Sequence, residues 1–444
     1  MIAFIKKITL RFLPILISLP LFSQEPQSTT PIYLSIEDTW NKAINYSKKI
    51  ELSRMEATIS EGEIAEKKIE RLPEMDLKGN YEYATNIPVY ENGLFSKPTQ
   101  HEVIHILYKV SAGYYFNIYN GNKLNLAIKS KEIAAELANE QRDLSISEIK
   151  LQAAAYYLDL QRSYIFKKLV IDDIANQEEQ LSEIVSLSKN GVVLESDVLR
   201  VKLKLSNQKM MLVKIDNDIA ITNQKLNIVI GLPDHQLIQP DSLKDPALIS
   251  LTDYEDWLKI AEHNSYDYNI SSSKTELSRI ALKSVKANVR PKIGLYGEFY
   301  LANPQIFLYP YSPSNYTLGV FGVRASFPLS ELYLNKPKER VAKLNLEREE
   351  LEHHHVEDKI REDVFAAFTR YNEALVRINV AKDDVEQSEE NARIISENYF
   401  HQSVLITDLL DANIQLLQSQ FNLASAKIAA QIQYYQLQHV TGTL

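Results

Sequence analysis

The chain has 444 residues, with 49 Lys and Arg against 58 Asp and Glu, a net charge of −9 and no cysteine. An acidic balance argues against nucleic acid as a partner. The lack of cysteine excludes disulfides, thiol catalysis, thiolate metal sites and a lipid-modified N-terminal cysteine.

At the N-terminus, Lys6, Lys7 and Arg11 precede an apolar run from Phe12 to Phe22 and the small residue Ser23. Charge, length and ending predict a signal peptide over residues 1–23, too short and too broken by prolines to span a membrane. Its removal takes away three basic residues and no acidic ones, which moves the net charge from −9 to −12. Downstream no run of 18 apolar residues occurs, so in any membrane the strands must do the spanning.

From there the chain is written twice. Trp40 and Trp257 each open a helical stretch that runs to a proline, Pro73 and Pro291, followed six residues on by Gly79 and Gly297. The offset is about 218 residues, the kind of internal repeat that decides a fold. Residues 24–232 form repeat 1, 233–249 a linker and 250–444 repeat 2, with strands expected over about 75–85, 103–119, 292–302 and 317–327.

Each strand alternates with period two. Met75, Leu77, Gly79, Tyr81 and Tyr83 oppose Asp76, Lys78, Asn80 and Glu82, and the duplicate sets Ile293, Leu295, Gly297, Phe299 and Leu301 against Lys292, Gly294, Tyr296, Glu298 and Tyr300. From Ile104 to Ile118 every second residue is apolar or small, with His105, Lys109, Ser111, Gly113 and Asn117 in the other register. Apolar-out, polar-in alternation rich in tyrosine suits an outer-membrane barrel; a soluble sheet with one buried face has the same alternation. The strand count discriminates: four strands cannot close a barrel that needs about eight, so the barrel would be shared between chains.

After each strand pair comes a long helical run free of Gly and Pro, 69 residues from Asn122 to Asn190 and 104 from Lys338 to Thr441. At ~1.5 Å per residue the first could reach ~100 Å. Ile360, Val364, Ala367, Tyr371, Ala374, Ile378, Ala381, Val385, Ser388, Ala392, Ile395 and Tyr399 keep a four-three spacing, the seam of a coiled coil. The charges around it, as in Glu347-Arg348-Glu349-Glu350, read as a solvated outer face. Gly191 and Gln402-Ser403 mark the points where each long helix turns back, at the end far from the strands. Since a non-glycine residue pays for left-handed geometry, a milder kink is expected at Gln402.

The leader, the duplicated unit of two strands and a long helix, and the paired segments Asn190-Gly191-Val192-Val193-Leu194-Glu195-Ser196-Asp197-Val198-Leu199 and Tyr399-Phe400-His401-Gln402-Ser403-Val404-Leu405-Ile406-Thr407-Asp408-Leu409-Leu410-Asp411-Ala412 together resemble the TolC family of outer-membrane export ducts. The resemblance covers essentially the whole mature chain and rests on order, spacing and duplication. It implies an α+β membrane protein: a homotrimer with four strands per chain in a 12-stranded outer-membrane β-barrel, continued by an α-helical barrel across the periplasm. It implies a passive duct without cofactors, working with a periplasmic adaptor and an inner-membrane pump of RND or ABC type, for efflux or type I secretion. The matching aperture residues are Asp408 and Asp411, on one helix face at i,i+3, and the matching gate residues are Tyr399 and Asp197. Two departures stand out: Val404 occupies the place of a gate arginine, and Gln402 that of a turn glycine.

One motif points elsewhere. His101-Glu102-Val103-Ile104-His105 spells HExxH, a zinc-peptidase signature when helical. Here it leads into an alternating strand, where four residues span about 13 Å and the imidazoles diverge. In the run His353-His354-His355, consecutive helical side chains point about 100° apart, so the three cannot share one metal. No G-x-S-x-G setting or phosphate-cradling glycine loop is visible, and no enzyme is expected. Tyr90, Phe95, Phe307, Tyr309, Tyr311 and Tyr316, beside several prolines, fit outward loops and an interfacial girdle. The rival reading is a soluble periplasmic coiled-coil scaffold, which would need no amphipathic strands.

Overall fold

The computed structural model describes residues 30–242, 253–305 and 312–444. The expected signal peptide, residues 243–249 of the expected linker, and Phe307, Tyr309 and Tyr311 of the expected girdle lie outside the described residues. In chain order the elements are β1 (Ile32–Leu34), α1 (Ile36–Tyr46), α2 (Lys48–Ile69), β2 (Glu74–Tyr83), β3 (Ile87–Val89), β4 (Thr99–His101), β5 (Ile106–Tyr119), α3 (Lys123–Lys189) and α4 (Glu195–Ile230). They continue with β6 (Ile238–Pro240), α5 (Tyr254–Asn264), α6 (Tyr266–Lys286), β7 (Lys292–Asn303), β8 (Tyr316–Ser326), α7 (Glu331–Phe400) and α8 (Ile406–Val440).

The repeat carries two offsets where the sequence suggested one. Up to the first strand of each unit equivalent residues stand 218 apart, as Gly79 and Gly297 do; after the hairpin they stand 211 apart, as Gly191 and Gln402 do. The first connection is the longer and folds into a small β3–β4 hairpin with Ile87 opposite His101. That hairpin holds the first histidine of HExxH, and four residues outside any strand separate it from β5. His105 instead turns its Nδ1 to the Ala84 carbonyl at 2.8 Å and stacks on Tyr83. No group of three or more metal-binding side chains occurs among the described residues.

The four long strands form one antiparallel sheet in the order β2-β5-β7-β8, so β5 and β7 join the two repeats. Directly opposed residues share a face. One face therefore carries Leu77, Ala112, Phe299 and Gly319 in a row, with Tyr81, Tyr108, Val110, Leu301, Phe321 and Val323 around it. The other carries Lys78, Asn80, Glu82, Lys109, Glu298 and Arg324; Lys109 Nζ lies 2.7 Å from Glu298, and Arg324 stands over the Tyr296 ring. The apolar face is open: Met75 is 82% exposed, Leu77 78%, Tyr81 74% and Phe321 69%. A Cβ at Gly297 would fall inside the contact distance of the Tyr114 ring, so the glycine makes room for an aromatic on this face.

Below the sheet the helices take over. The alternation ends at Tyr119, and the 67 residues of α3 follow, a contour of ~100 Å. Helix α7 has 70 residues and begins at Glu331, ahead of the proline-free run, with Pro337 inside it. A proline this near the start removes one backbone bond in exposed early turns without ending the helix. Of the four-three seam, Ile360, Val364, Ala367, Tyr371, Ala374, Ile378, Ala381, Ala392 and Tyr399 are buried, and Val385, Ser388 and Ile395 half-buried. Among the described residues no helix is long and apolar enough to cross a membrane.

The largest core lies midway along the helices, where the short elements wrap α3 and α4. Leu34, Ile50, Leu158, Leu160, Val170, Leu226, Ile238 and Ile428 are buried together. Within the stretch expected as linker, β6 pairs in parallel with β1, Ile32 opposite Ile238. Polar groups are satisfied around it: the Tyr157 hydroxyl donates to the Leu34 carbonyl and accepts from the Asp241 amide, both at 3.0 Å, and Trp40 Nε1 donates to the Lys150 carbonyl at 2.9 Å. Ser35 and Asp38 close a capping box at the start of α1.

Helix α8 is tied back to α3 by His439, whose Nδ1 lies 2.8 Å from the Ser147 hydroxyl. Burial holds its pKa below the usual histidine value, against the charges of Glu148 and Asp267. A lowered folded pKa means that the unfolded chain takes up the proton first. The contribution is therefore complete above the ordinary histidine range and is lost as pH falls through the lowered folded value. Thermal melting of detergent-extracted protein is expected to show a Tm that falls between pH 7 and pH 5, with a flatter profile in His439→Gln.

Candidate gate at the two helix turns

Both long helices end in the same backbone motif. After α3, the Gly191 amide donates to the Ser188 carbonyl at 2.9 Å and the Val192 amide to that of Leu187 at 2.9 Å. After α7, Gln402 and Ser403 repeat the pattern onto Tyr399 and Asn398 at the same two distances. These are the paired bonds of a Schellman termination, which needs a left-handed residue. Gly191 supplies it with φ 77° and Gln402 with φ 61°. The milder kink expected at Gln402 is thus not found. Two recovered carbonyl bonds and the packing beyond the turn outweigh the ~1 kcal/mol that a side chain pays for this geometry.

The turns bring the two helix pairs together. Ile184, Val198, Val201, Tyr399, Ile406 and Leu409 form one buried cluster, flanked by Leu181, Val193, Phe400, Val404 and Leu410. Val404, the repeat equivalent of Val193, is part of this apolar packing. Tyr399 is 5% exposed and its hydroxyl has no hydrogen-bond partner. Burial raises its pKa, and the charge of Asp197 raises it further. The structure therefore sets Tyr399 and Asp197 in one electrostatic neighbourhood without a bond between them.

Asp197 and Asp408 are equivalents, each the third residue of its helix. Asp408 Oδ2 accepts from the Leu405 amide at 3.0 Å, covering a free donor at the start of α8. Both Asp408 and Asp411 are exposed. Asp411 also acts on Lys204 of α4, whose pKa burial lowers while Asp173 and Asp411 oppose the shift. One chain does not bring Asp408 and Asp411 into a ring.

A polar layer just above the tip has no counterpart in the expected residues. Gln177 of α3 and Gln208 of α4 are almost fully buried, and Gln177 Nε2 donates to Asp173 Oδ2 at 2.7 Å. Burial raises the Asp173 pKa against the hydrogen bonds of Gln177 and Gln208 and the charge of Lys204. The layer borders a cavity of about 360 Å³ lined also by Glu183, Phe400 and Asn413, and Asn413 bonds Gln180 across it at 3.1 Å. The available signal was spacing: Gln177 follows Ser163 and Val170 and precedes Ile184 at intervals of seven, so a glutamine stands on a buried seam. In the histidine run, His353 turns to Ser271 of α6 at 2.8 Å and His354 to Glu357 at 2.9 Å.

No family model matches the chain, and no curated protein matches it in sequence. Solved structures do match. The transmembrane channel CusC is similar at a TM-score of 0.77 with 12% identity, over 95% of each chain. The outer-membrane channel OprN gives 0.75 with 14% identity, over 92% of this chain and 90% of its own. The outer membrane protein VceC from Vibrio cholerae gives 0.72 with 16% identity, over 92% and 96%. The chain has the fold of an outer-membrane channel. This is the fold that the resemblance to the TolC family implies, and it spans nearly the whole of each solved channel. At these identities the likeness is one of fold.

Within this channel fold, the unpaired Tyr399 hydroxyl gives a signed expectation. A buried hydroxyl with no partner costs about 1 kcal/mol or more. Tyr399→Phe is expected to leave the tip as stable as before or up to about 1 kcal/mol more stable, read by hydrogen exchange in the last turns of α7. Destabilisation by a similar amount would show that the hydroxyl is bonded in the assembled protein.

Proposed function

We propose that the chain is the outer-membrane duct of a tripartite efflux or type I secretion system, working as a homotrimer. The observation that carries this reading is the open sheet face. Met75, Leu77, Tyr81, Phe299, Phe321 and Val323 are largely exposed on one side of a sheet whose opposite side is charged. An apolar face of this extent needs a cover, and alternation with a charged reverse side matches lipid outside and water inside. Three copies supply twelve strands, enough to close a barrel. The long helices then extend from the outer membrane into the periplasm, the duct itself is passive, and the energy comes from an inner-membrane pump of RND or ABC type joined through a periplasmic adaptor.

Asp408 and Asp411 form the aperture ring in this reading. Three copies bring six carboxylates around one axis, which attracts cations and repels anions. Tyr399 and Asp197 serve as gate residues on the inner face of the turns, and an adaptor opens the tip by untwisting the helix pairs.

Two measurements test the reading. Fractionation of the expressed chain, with crosslinking of detergent extracts, is expected to recover a stable trimer from the outer membrane; a soluble periplasmic monomer or dimer would transfer the chain to the scaffold reading. In planar bilayers, cation block is expected to weaken on the order of tenfold in Asp408→Ala with Asp411→Ala, since a ring of carboxylates is the binding element. Unchanged block removes both residues from the aperture. Asp411→Ala alone separates the ring from the capping role of Asp408.

A further inference from the structure

The cavity beside the polar layer has a one-sided charge. It encloses about 360 Å³ between α3, α7 and α8, and four carboxylates line it, Asp172, Asp173, Glu179 and Glu183, with no lysine, arginine or histidine. Asp172, Glu179 and Glu183 have no ion-pair partner among the described residues, whereas Glu178, one residue away, pairs with Lys209 at 2.7 Å. A row of carboxylates on a helix is by itself an ordinary solvated face. Gln177 sets this one apart. Its side chain lines the cavity at 1% exposure, its Nε2 is committed to Asp173, and its carbonyl oxygen has no partner. A buried acceptor without a donor is costly, and a donor entering the cavity relieves it. Asp173 is similarly short of compensation, since burial raises its pKa against the bonds of Gln177 and Gln208 and the charge of Lys204. The cavity lacks positive charge and N–H donors together.

The layout of the carboxylates narrows the ligand. No three metal-binding side chains converge among the described residues, so a bare metal ion finds no coordination shell here. From Asp172 to Glu179 to Glu183 the carboxylates are strung along α3 at intervals of seven and four residues, about 10 and 6 Å along one helix face. The rest of the wall is partly apolar, with Leu169 of α3, Phe400 of α7 and Leu416 and Leu417 of α8. An extended cation whose charges are separated by short methylene links matches both features, its ammonium groups on the carboxylates and its methylenes on the leucines. We propose that this cavity is a binding site for a linear polyamine, held by Asp172, Asp173, Glu179 and Glu183, with the Gln177 carbonyl accepting from an ammonium group. Bound there, it bridges α3 to α7 and α8 and so ties the helix pairs of the two repeats together above the turns. The site is complete within one chain and stands independently of the duct reading.

Spermidine is the probe, titrated calorimetrically into the detergent-extracted full chain at fixed ionic strength, because loose counter-ion attraction is screened by salt and a built site much less so. The titration is made in the Asp408→Ala, Asp411→Ala background, where the proposed aperture cannot contribute. Saturable binding of one spermidine per chain is expected, with a Tm that rises with ligand concentration and slower hydrogen exchange in α3 around Gln177 and in α8 around Asn413. Adding Glu179→Gln and Glu183→Gln is expected to weaken binding on the order of tenfold, since two ion pairs to the ligand are lost. Both side chains are exposed, and an unchanged Tm without ligand shows that this variant is folded. Binding that does not saturate, or an equal response to magnesium at the same ionic strength, overturns the site. Binding seen in the unsubstituted chain that vanishes in the aperture background places the polyamine at the turns and overturns the cavity as its site.

Discussion

A strand edge in hydrocarbon cannot leave its backbone donors and acceptors unpaired, at several kcal/mol for each. In the outer-membrane duct proposed above, that constraint organises the rest of this chain. Four strands with one apolar face have two free edges, β2 and β8, and twist alone cannot bring them together in a sheet of this width. Within the chain, β5 against β7 is a complete junction between the repeats, while β2 and β8 stay open. Duplication is thus a physical economy. One hairpin pattern, written twice, gives a four-stranded sheet joined at β5 and β7.

The helices meet the complementary problem. Among the described residues no helix is long and apolar enough to cross a membrane, and the helices hold together through narrow seams. Small residues on the α7 seam, Ala367, Ala374, Ala381 and Ala392, let helix α8 approach closely, while the charges on the outer faces form exposed pairs such as Arg393 with Glu390 and Glu397. Such pairs add at most about 1 kcal/mol each. Seam packing carries the stability, and the exposed charges line the outer faces of helices about 100 Å long.

Much of this was legible because it is periodic. The four strands emerged within a few residues of their alternation, and every seam position from Ile360 to Tyr399 is buried or half-buried. What was not legible depends on contacts that a local pattern does not contain. Gln402 reads as a poor left-handed residue, yet adopts φ 61° because carbonyls of α7 and the cluster around Ile406 and Leu409 outweigh its propensity. The second offset was hidden because the β3–β4 hairpin lies in a stretch without clean alternation. Asp173 and Lys204 were unremarked among many charges on long helices. Only Gln177 and Gln208, polar residues standing on apolar seams, marked the layer between them.

In the gate proposed above, Val404 decides what kind of closure the tip has. A charged network at a gate is weakened by salt and by protonation of its carboxylates. Val404 is apolar and packs in one cluster with Val193, Phe400 and Tyr399. Separating the two helix pairs would then expose apolar surface at roughly 25 cal/mol per Å², a cost that salt does not screen. The polar layer of Asp173, Gln177, Lys204 and Gln208 limits how that cost is met, since water entering there satisfies groups that the closed packing leaves strained for partners, the Gln177 carbonyl among them. In the proposed gate, opening from the polar layer downward would therefore be the cheaper route: the first water to enter would gain hydrogen bonds, and only afterwards would the apolar cluster at the turns part.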